Sequence, residues 1–229
     1  MKTVGIIGGM SWESTSTYYR RLNQLVNERL GGLHSAELLL ASVDFAPIEK
    51  MQSQGDWDAA AQALIGKARQ LESAGAECIV IATNTMHKVA PQIETAVTIP
   101  LLHIVDAVAA HLKQNSVHNV GLLGTRFTMQ QPFYKERLEQ NNVQVLVPEE
   151  EDSITVDSII FKELCHGQFT EKAREHYLRV IDSLAERGAQ GVILGCTEIG
   201  LLVQQEHSAL PLFDTTELHC RAIADWMLK

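Results

Sequence analysis

The sequence repeats itself, and that repetition limits the fold more than any other feature. Val120-Gly121-Leu122-Leu123-Gly124-Thr125-Arg126 repeats Val4-Gly5-Ile6-Ile7-Gly8-Gly9-Met10 at an offset of 116, and the same offset sets Tyr134, Arg137 and Leu138 on Tyr18, Arg21 and Leu22. Setting Gly188 on Gly75 lays the apolar run Val192-Ile193-Leu194-Gly195 over Ile79-Val80-Ile81-Ala82. Cys196 then falls on Thr83, Thr197 on Asn84 and Glu198 on Thr85. Val143 to Val147 matches a strand-like segment from Glu37 to Phe45, and Leu210 to Asp214 matches Ile99 to His103. Matched segments in the same order mark an internal duplication, so one supersecondary unit is built twice.

Short β-branched runs bounded by glycine read as buried parallel strands. The first half reads as a strand over 3–7 and a helix from Trp12 through Tyr18, Leu22 and Val26. A strand over 37–45, a polar loop through Gln52, Gly55 and Asp56, and a helix over 57–74 follow. Strands over 78–82 and 99–104 and a helix over 105–113 complete it. In the second half, strands at Val120 and over 143–147 lead to an acidic loop over 149–152, helices over 154–169 and 170–186, the Cys196 strand, a strand over 210–214 and a last helix from Thr216. Strands alternating with helices of this length predict an α/β protein with two similar open parallel-sheet lobes related by a pseudo-twofold. The lobe boundaries expected are 1–98 plus 208–229, and 99–207. In such sheets ligands gather beyond the carboxyl ends of the strands. The loops after Gly8, Asp44, Thr83, Gly124 and Cys196 are therefore expected to line one cleft.

Composition narrows the partners. A chain of 229 residues with 45% hydrophobic residues can bury a substantial core. A net charge of -9 with no basic cluster argues against nucleic acid or an anionic membrane. No apolar run approaches a signal or membrane-spanning length, so a cytoplasmic address is expected. The four cysteines have no paired spacing, which suggests neither disulfides nor a CxxC metal site. His87, His103, His111 and His118 lack a metal-ligand pattern, and no metal is expected. Gly5, Gly8 and Gly9 do not form G-x-G-x-x-G, and Asp44 lies well beyond the usual ~20 residues, so dinucleotide binding is disfavoured. The ligand expected is a small molecule.

A pocket with a matched group on each side suits taking a proton from one face of a carbon and returning one to the other, which is racemisation or epimerisation. Such a carbon acid is weak, so the reaction needs a well-placed base and fixed dipoles for the planar anion. Cys196 is the candidate base. A cysteine after an apolar strand is more often a small core residue, but its match to Thr83 singles it out, and a helix N-terminus beside it would lower its pKa. Asn84, Thr85 and Thr197, just past the strand ends, are candidates to hold a substrate carboxylate. Met10 and Ser11 after Gly8, and Thr125 after Gly124, join the substrate-binding set. Glu198 reads either as a partner of Cys196 or as an ordinary first-turn carboxylate. His87 either orients the Thr83 loop or is an exposed helical histidine, the commoner case. Lys88 reads as solvated surface, and Trp12 and Trp57 as core or pocket wall.

Three stretches, Gly8-Gly9-Met10-Ser11-Trp12-Glu13-Ser14, Thr83-Asn84-Thr85-Met86-His87 and Gly195-Cys196-Thr197-Glu198, resemble the aspartate/glutamate racemase family, cofactor-independent amino-acid racemases. The resemblance runs over essentially the whole chain. It implies two facing cysteines, an amino acid as substrate, no cofactor, pyridoxal phosphate included, and a homodimer. Here Thr83 replaces the first cysteine, as in the enterobacterial broad-specificity branch, where threonine and cysteine are taken as the catalytic pair. A hydroxyl is a far weaker acid than a thiol, so Thr83 needs help to exchange a proton. Members strict for acidic substrates carry basic residues for the distal carboxylate. Gln52 and Cys165 stand at the corresponding positions here, which fits a broad-specificity pocket. The alternatives are a related carbon-acid enzyme, decarboxylating or isomerising a small dicarboxylate, and a non-catalytic amino-acid-binding protein. The intact Cys196, Thr197 and Glu198 favour the enzyme.

Overall fold

The computed structural model describes all 229 residues, and their contacts divide the chain into two compact units, Met1–His103 with His219–Lys229, and Ile104–Leu218. In the first unit β1 (Val4–Gly8) is fully buried and leads to α1 (Trp12–Leu30), whose buried stripe of Tyr18, Leu22, Leu25 and Val26 has the spacing that turns one helical face inward. β2 (Leu38–Ser42) follows, and then α2 (Phe45–Gln54), where the sequence suggested a polar loop. The helix forms there because Asp44 caps it, its carboxylate accepting from the Ala46 N–H at 3.3 Å, and Pro47 is tolerated in a first turn that has no N–H partner. Gly55, left-handed at φ 73°, ends it. α3 (Trp57–Ser73), β3 (Cys78–Ile81), a 3₁₀ turn (Thr85–Val89) and α4 (Ala90–Glu94) complete this half. The sheet order is β2-β1-β3, all parallel. The strand expected at 99–104 reduces to one bridge, Ile79 with Leu101, because Pro100 has no N–H to extend the ladder and α5 (Ile104–Gln114) begins soon after.

The second unit runs β4 (Asn119–Gly124), α6 (Arg126–Gln130), α7 (Pro132–Glu139), β5 (Gln144–Leu146) and α8 (Glu150–Lys162). The stretch expected as an acidic loop is the first turn of α8, where Glu150, Glu151 and Asp152 meet the positive end of the helix dipole. A 3₁₀ turn (Leu164–His166), α9 (Glu171–Glu186), β6 (Val192–Gly195), α10 (Ile199–Leu202), β7 (Leu212–Asp214) and α11 (Thr215–Met227) follow. The order β5-β4-β6-β7 is again parallel, and its first three strands repeat β2-β1-β3.

The duplication extends to close packing. A Cβ on Gly5 in β1 would lie 2.8 Å from the Ala76 Cβ and 3.1 Å from the Leu71 Cβ; one on Gly121 in β4 would lie 2.8 Å from Leu184 Cδ1. Glycine mid-strand therefore lets α3 and α9 close onto their sheets.

The unit boundaries differ from those expected. Ile99 to His103 stay with the first unit because Leu101 bridges to Ile79, and Ser208 to Leu218 stay with the second because β7 pairs with β6. The last helix is shared by sequence. From His219 onward it packs Cys220, Ile223, Ala224 and Met227 against Val4, Tyr18, Leu22 and Val26 of the first unit. α5 does the reciprocal service, placing Val105, Val108 and Leu112 with Val120, Leu122, Tyr134, Ile193 and Phe213 of the second. No helix is long and apolar enough to cross a membrane.

Candidate active site

In the second unit the register of β4 on β6 pairs Gly124 with Gly195, so Thr125 and Cys196 leave adjacent strands at the same level. Cys196 is buried, and its Sγ donates to Glu198 Oε2 at 3.1 Å; the Thr197 hydroxyl donates to the same oxygen at 2.6 Å. Glu198 is itself buried, which settles its reading as a partner of the thiol in space. Thr197 spends its hydroxyl on Glu198 rather than on open space. The expectation of a lowered thiol pKa is overturned: burial, then the negative charge of Glu198, push the Cys196 thiol well above its ordinary value, with a further contribution from Cys165. The helix after it, α10, is four residues long and offers too little dipole to oppose this. Cys165, half-buried in the 3₁₀ turn after α8, packs against the same apolar cluster as Cys196. Thr125 caps α6, accepting from the Thr128 N–H at 3.4 Å.

In the first unit Thr83 follows β3 and is half-buried, and Asn84 and Thr85, both buried, open a 3₁₀ turn rather than an α-helix. The strand end is held by carbonyl contacts. The Ser14 hydroxyl donates to the Ala82 C=O at 3.0 Å, and His87 Nδ1 lies 2.8 Å from the Thr83 C=O. His87 is 2% exposed, so the exposed-histidine reading fails and the orienting one fits. Ser11 uses its hydroxyl to accept from the Ser14 N–H at 3.3 Å, linking the loop after β1 to Ser14 and hence to Ala82. That loop passes so close to β2 that a Cβ on Gly9, at φ +92°, would lie 2.2 Å from the Val43 carbonyl oxygen. Met10, Gln52 and Met86 come together in one buried region, with Gln52 Nε2 3.0 Å from Met86 Sδ. Trp12 is 69% exposed and is neither core nor pocket wall, whereas Trp57 is half-buried. Lys88 is not simply solvated, its Nζ lying 3.9 Å from the centroid of the Trp57 ring, and burial lowers its pKa.

The sequence reading passed over Ser14, Tyr18 and His219 as site residues. Tyr18 OH and His219 Nδ1 are 2.8 Å apart, His219 Nε2 is 2.8 Å from the Leu102 C=O, and His103 packs on His87 with ring centroids 4.4 Å apart. No spacing links these residues along the chain. The only available signal was that the repeat keeps tyrosine at both 18 and 134.

Fold and strand ends together define a duplicated parallel α/β protein that presents a thiol with its carboxylate in one copy and a hydroxyl in the other. The chain belongs to the Asp/Glu/hydantoin racemase family, whose pattern it matches over residues 7–223. It is 53% identical to a Yersinia pestis protein solved as a candidate Asp/Glu racemase, with 100% of both chains covered and a TM-score of 0.94. An aspartate racemase homologue from Pyrococcus horikoshii OT3 is 36% identical over 100% of both chains, with a TM-score of 0.87. A broad specificity amino-acid racemase of Bacillus subtilis (strain 168) is 23% identical over 215 residues, 93% of this chain and 92% of that protein.

Proposed function

We propose that this protein racemises free amino acids without a cofactor, exchanging protons at Cα through Cys196 on one face and Thr83 on the other. The observation that carries the reading is the buried Cys196 thiol 3.1 Å from Glu198 Oε2 at the end of β6. Such a thiol rests protonated. It is ready to give its proton to a planar anion: the S–H bond breaks, a Cα–H bond forms, and a thiolate remains. In the opposite direction the thiol first passes its proton to the Glu198 carboxylate, and the thiolate then takes the Cα proton while the electron pair stays on the substrate. Thr83, the counterpart of Cys196 in the repeat, serves the other face through its hydroxyl. Asn84, Thr85 and Thr125, together with Met10 and Ser11, are the residues proposed to receive the substrate carboxylate.

Broad specificity is proposed because Gln52 and Cys165, the side chains assigned to the distal group, are uncharged, and the Bacillus subtilis relative bears that description. The protein is proposed to act in the cytoplasm as a homodimer. Purified protein with no added pyridoxal phosphate should abolish the circular dichroism of L- or D-amino acids, neutral ones included. Cys196→Ala should not. Release of carbon dioxide from small dicarboxylates without racemisation would replace this reading with a decarboxylase.

A further inference from the structure

We infer that Tyr18, His219, His103 and His87 form a buried network that positions Thr83 for proton exchange, an inference that rests on the racemase reading. Tyr18 and His219 are 0% exposed, His87 2% and His103 5%. Burying a phenol and three imidazoles is costly unless their polar atoms are bonded, and here the bonds fix the tautomers. The Leu102 carbonyl can only accept, so His219 Nε2 carries the hydrogen, and in the neutral ring Nδ1 accepts from the Tyr18 hydroxyl. The Thr83 carbonyl likewise can only accept, so His87 Nδ1 carries the hydrogen. The His87 ring sits among the others, 4.4 Å from His103 and 6.0 Å from His219 between centroids. α1, α11, the segment before α5 and the turn after β3 thus converge on the His87 ring, which contacts the Thr83 carbonyl.

The second unit shows that the fold does not demand these groups. By the repeat, Tyr18, His219, His87 and His103 correspond to Tyr134, Val108, Gly200 and Asp214. Val108 and Tyr134 pack in one apolar cluster, and the Tyr134 hydroxyl has no hydrogen-bond partner. Gly200 and Asp214 touch as His87 and His103 do, since a Cβ on Gly200 would lie 2.5 Å from Asp214 Oδ2. The counterparts thus pack as the same two pairs in the second unit, and the three imidazoles occur only where the strand ends in threonine. The weaker acid of the pair is the one that gains most from exact placement, because a misplacement of about 1 Å can cost about a hundredfold in rate.

The test uses the whole protein in deuterated water, following inversion by chiral chromatography and Cα deuteration by proton NMR at early times. His87→Phe keeps an aromatic ring and removes the donor to the Thr83 carbonyl; His87→Asn keeps a donor. His87→Phe should slow inversion about tenfold to a hundredfold with KM little changed. The enantiomer whose proton faces Cys196 should still exchange within about threefold of wild type, and His87→Asn should restore much of the inversion. Loss of exchange and inversion together, with a fallen Tm, would reduce the cluster to packing and overturn the inference, as would unimpaired inversion. The ring nitrogen-15 shifts of the ligand-free protein give a readout independent of activity: a neutral Nδ1-protonated His219, or an His87 with no proton on Nδ1, also overturns it. A wild type that neither inverts nor exchanges any amino acid defeats the racemase reading itself, whatever the tautomers.

Discussion

The proton on Cys196 is decided by its neighbours rather than by its place after a strand. Burial and the Glu198 charge both favour the thiol over the thiolate, so alkylation by iodoacetamide at neutral pH should be slow at Cys196. Glu198→Gln removes the negative charge but not the burial; the thiol pKa should fall and alkylation should speed up at any given pH below it. Because racemisation has an equilibrium constant of one, kcat/KM is equal for the two enantiomers; in this variant it should fall for both at neutral pH, because the carboxylate no longer takes the thiol proton, and recover as rising pH lets solvent take it instead. Alkylation no faster than in the wild type would show that the Glu198 charge does not act on the thiol. Cys196→Ala should lose turnover by orders of magnitude. Cys78→Ala should keep it, since the Cys78 thiol is held inside β3 with its pKa pushed up to about 12 by burial. The pairing of Cys196 with Thr83 was legible in the sequence because it needs only the repeat. The direction of the thiol shift was not, because it depends on how Glu198 folds back beneath Cys196 and on how short α10 is.

Among the elements, the two halves provide internal controls for each other. Tyr18→Phe removes a hydroxyl bonded to His219 and should cost about 1 kcal/mol, whereas Tyr134→Phe removes a buried hydroxyl with no partner and should be neutral or stabilising. Thermal unfolding of the two variants side by side measures the contrast, and equal losses would mean that the hydrogen bond to His219 contributes nothing net. Gly5→Ala and Gly121→Ala should differ in the same way. The methyl on Gly5 meets two Cβ atoms that can move only with their backbone; the nearest neighbour of the one on Gly121 is the far end of Leu184, which can swing aside, with Val192 Cγ2 next at 3.1 Å. Overpacking typically costs about 1–3 kcal/mol, and Gly5→Ala should fall at the upper end. Strands and amphipathic helices announced themselves through periodicity. α2 did not, because Pro47 and a run of polar residues resemble a loop until Asp44 is recognised as its cap, and the first turn of α8 was hidden by the same acidic residues that stabilise it.

For the whole molecule, the duplication carried most of what the sequence could say, and it misled where the chain departs from the repeat: the counterpart of β7 at 99–104 is a single bridge, and the unit boundaries differ. Matching segments assigned 208–229 to the first lobe as a block, but a strand is placed by its hydrogen-bonded neighbour and a helix by its apolar stripe, and these two requirements split the block at Leu218. A chain ending at Leu218 tests that division. It lacks Cys220, Ile223, Ala224 and Met227, all at most 1% exposed, and with them the cover over Val4, Leu22 and Val26. It also loses His219 as the partner of Tyr18, the Met227 carbonyl that accepts from the Lys2 N–H at 3.0 Å, and Asp225, 2.6 Å from Arg29. Burying one Ile or Met side chain stabilises by about 1.5–3 kcal/mol, so losing two of them together with those bonds removes much of the ~5–15 kcal/mol that holds an ordinary domain. The second unit keeps every residue of its own clusters, the Thr215 hydroxyl bond to the Leu194 carbonyl included. Hydrogen exchange read by mass spectrometry should therefore show protection lost across 1–103 and retained in β4, β6 and α9, with racemisation abolished because Thr83 is no longer held. Protection lost to the same extent in both units would mean that neither keeps its fold when the other fails, and that the division into units describes packing but not stability.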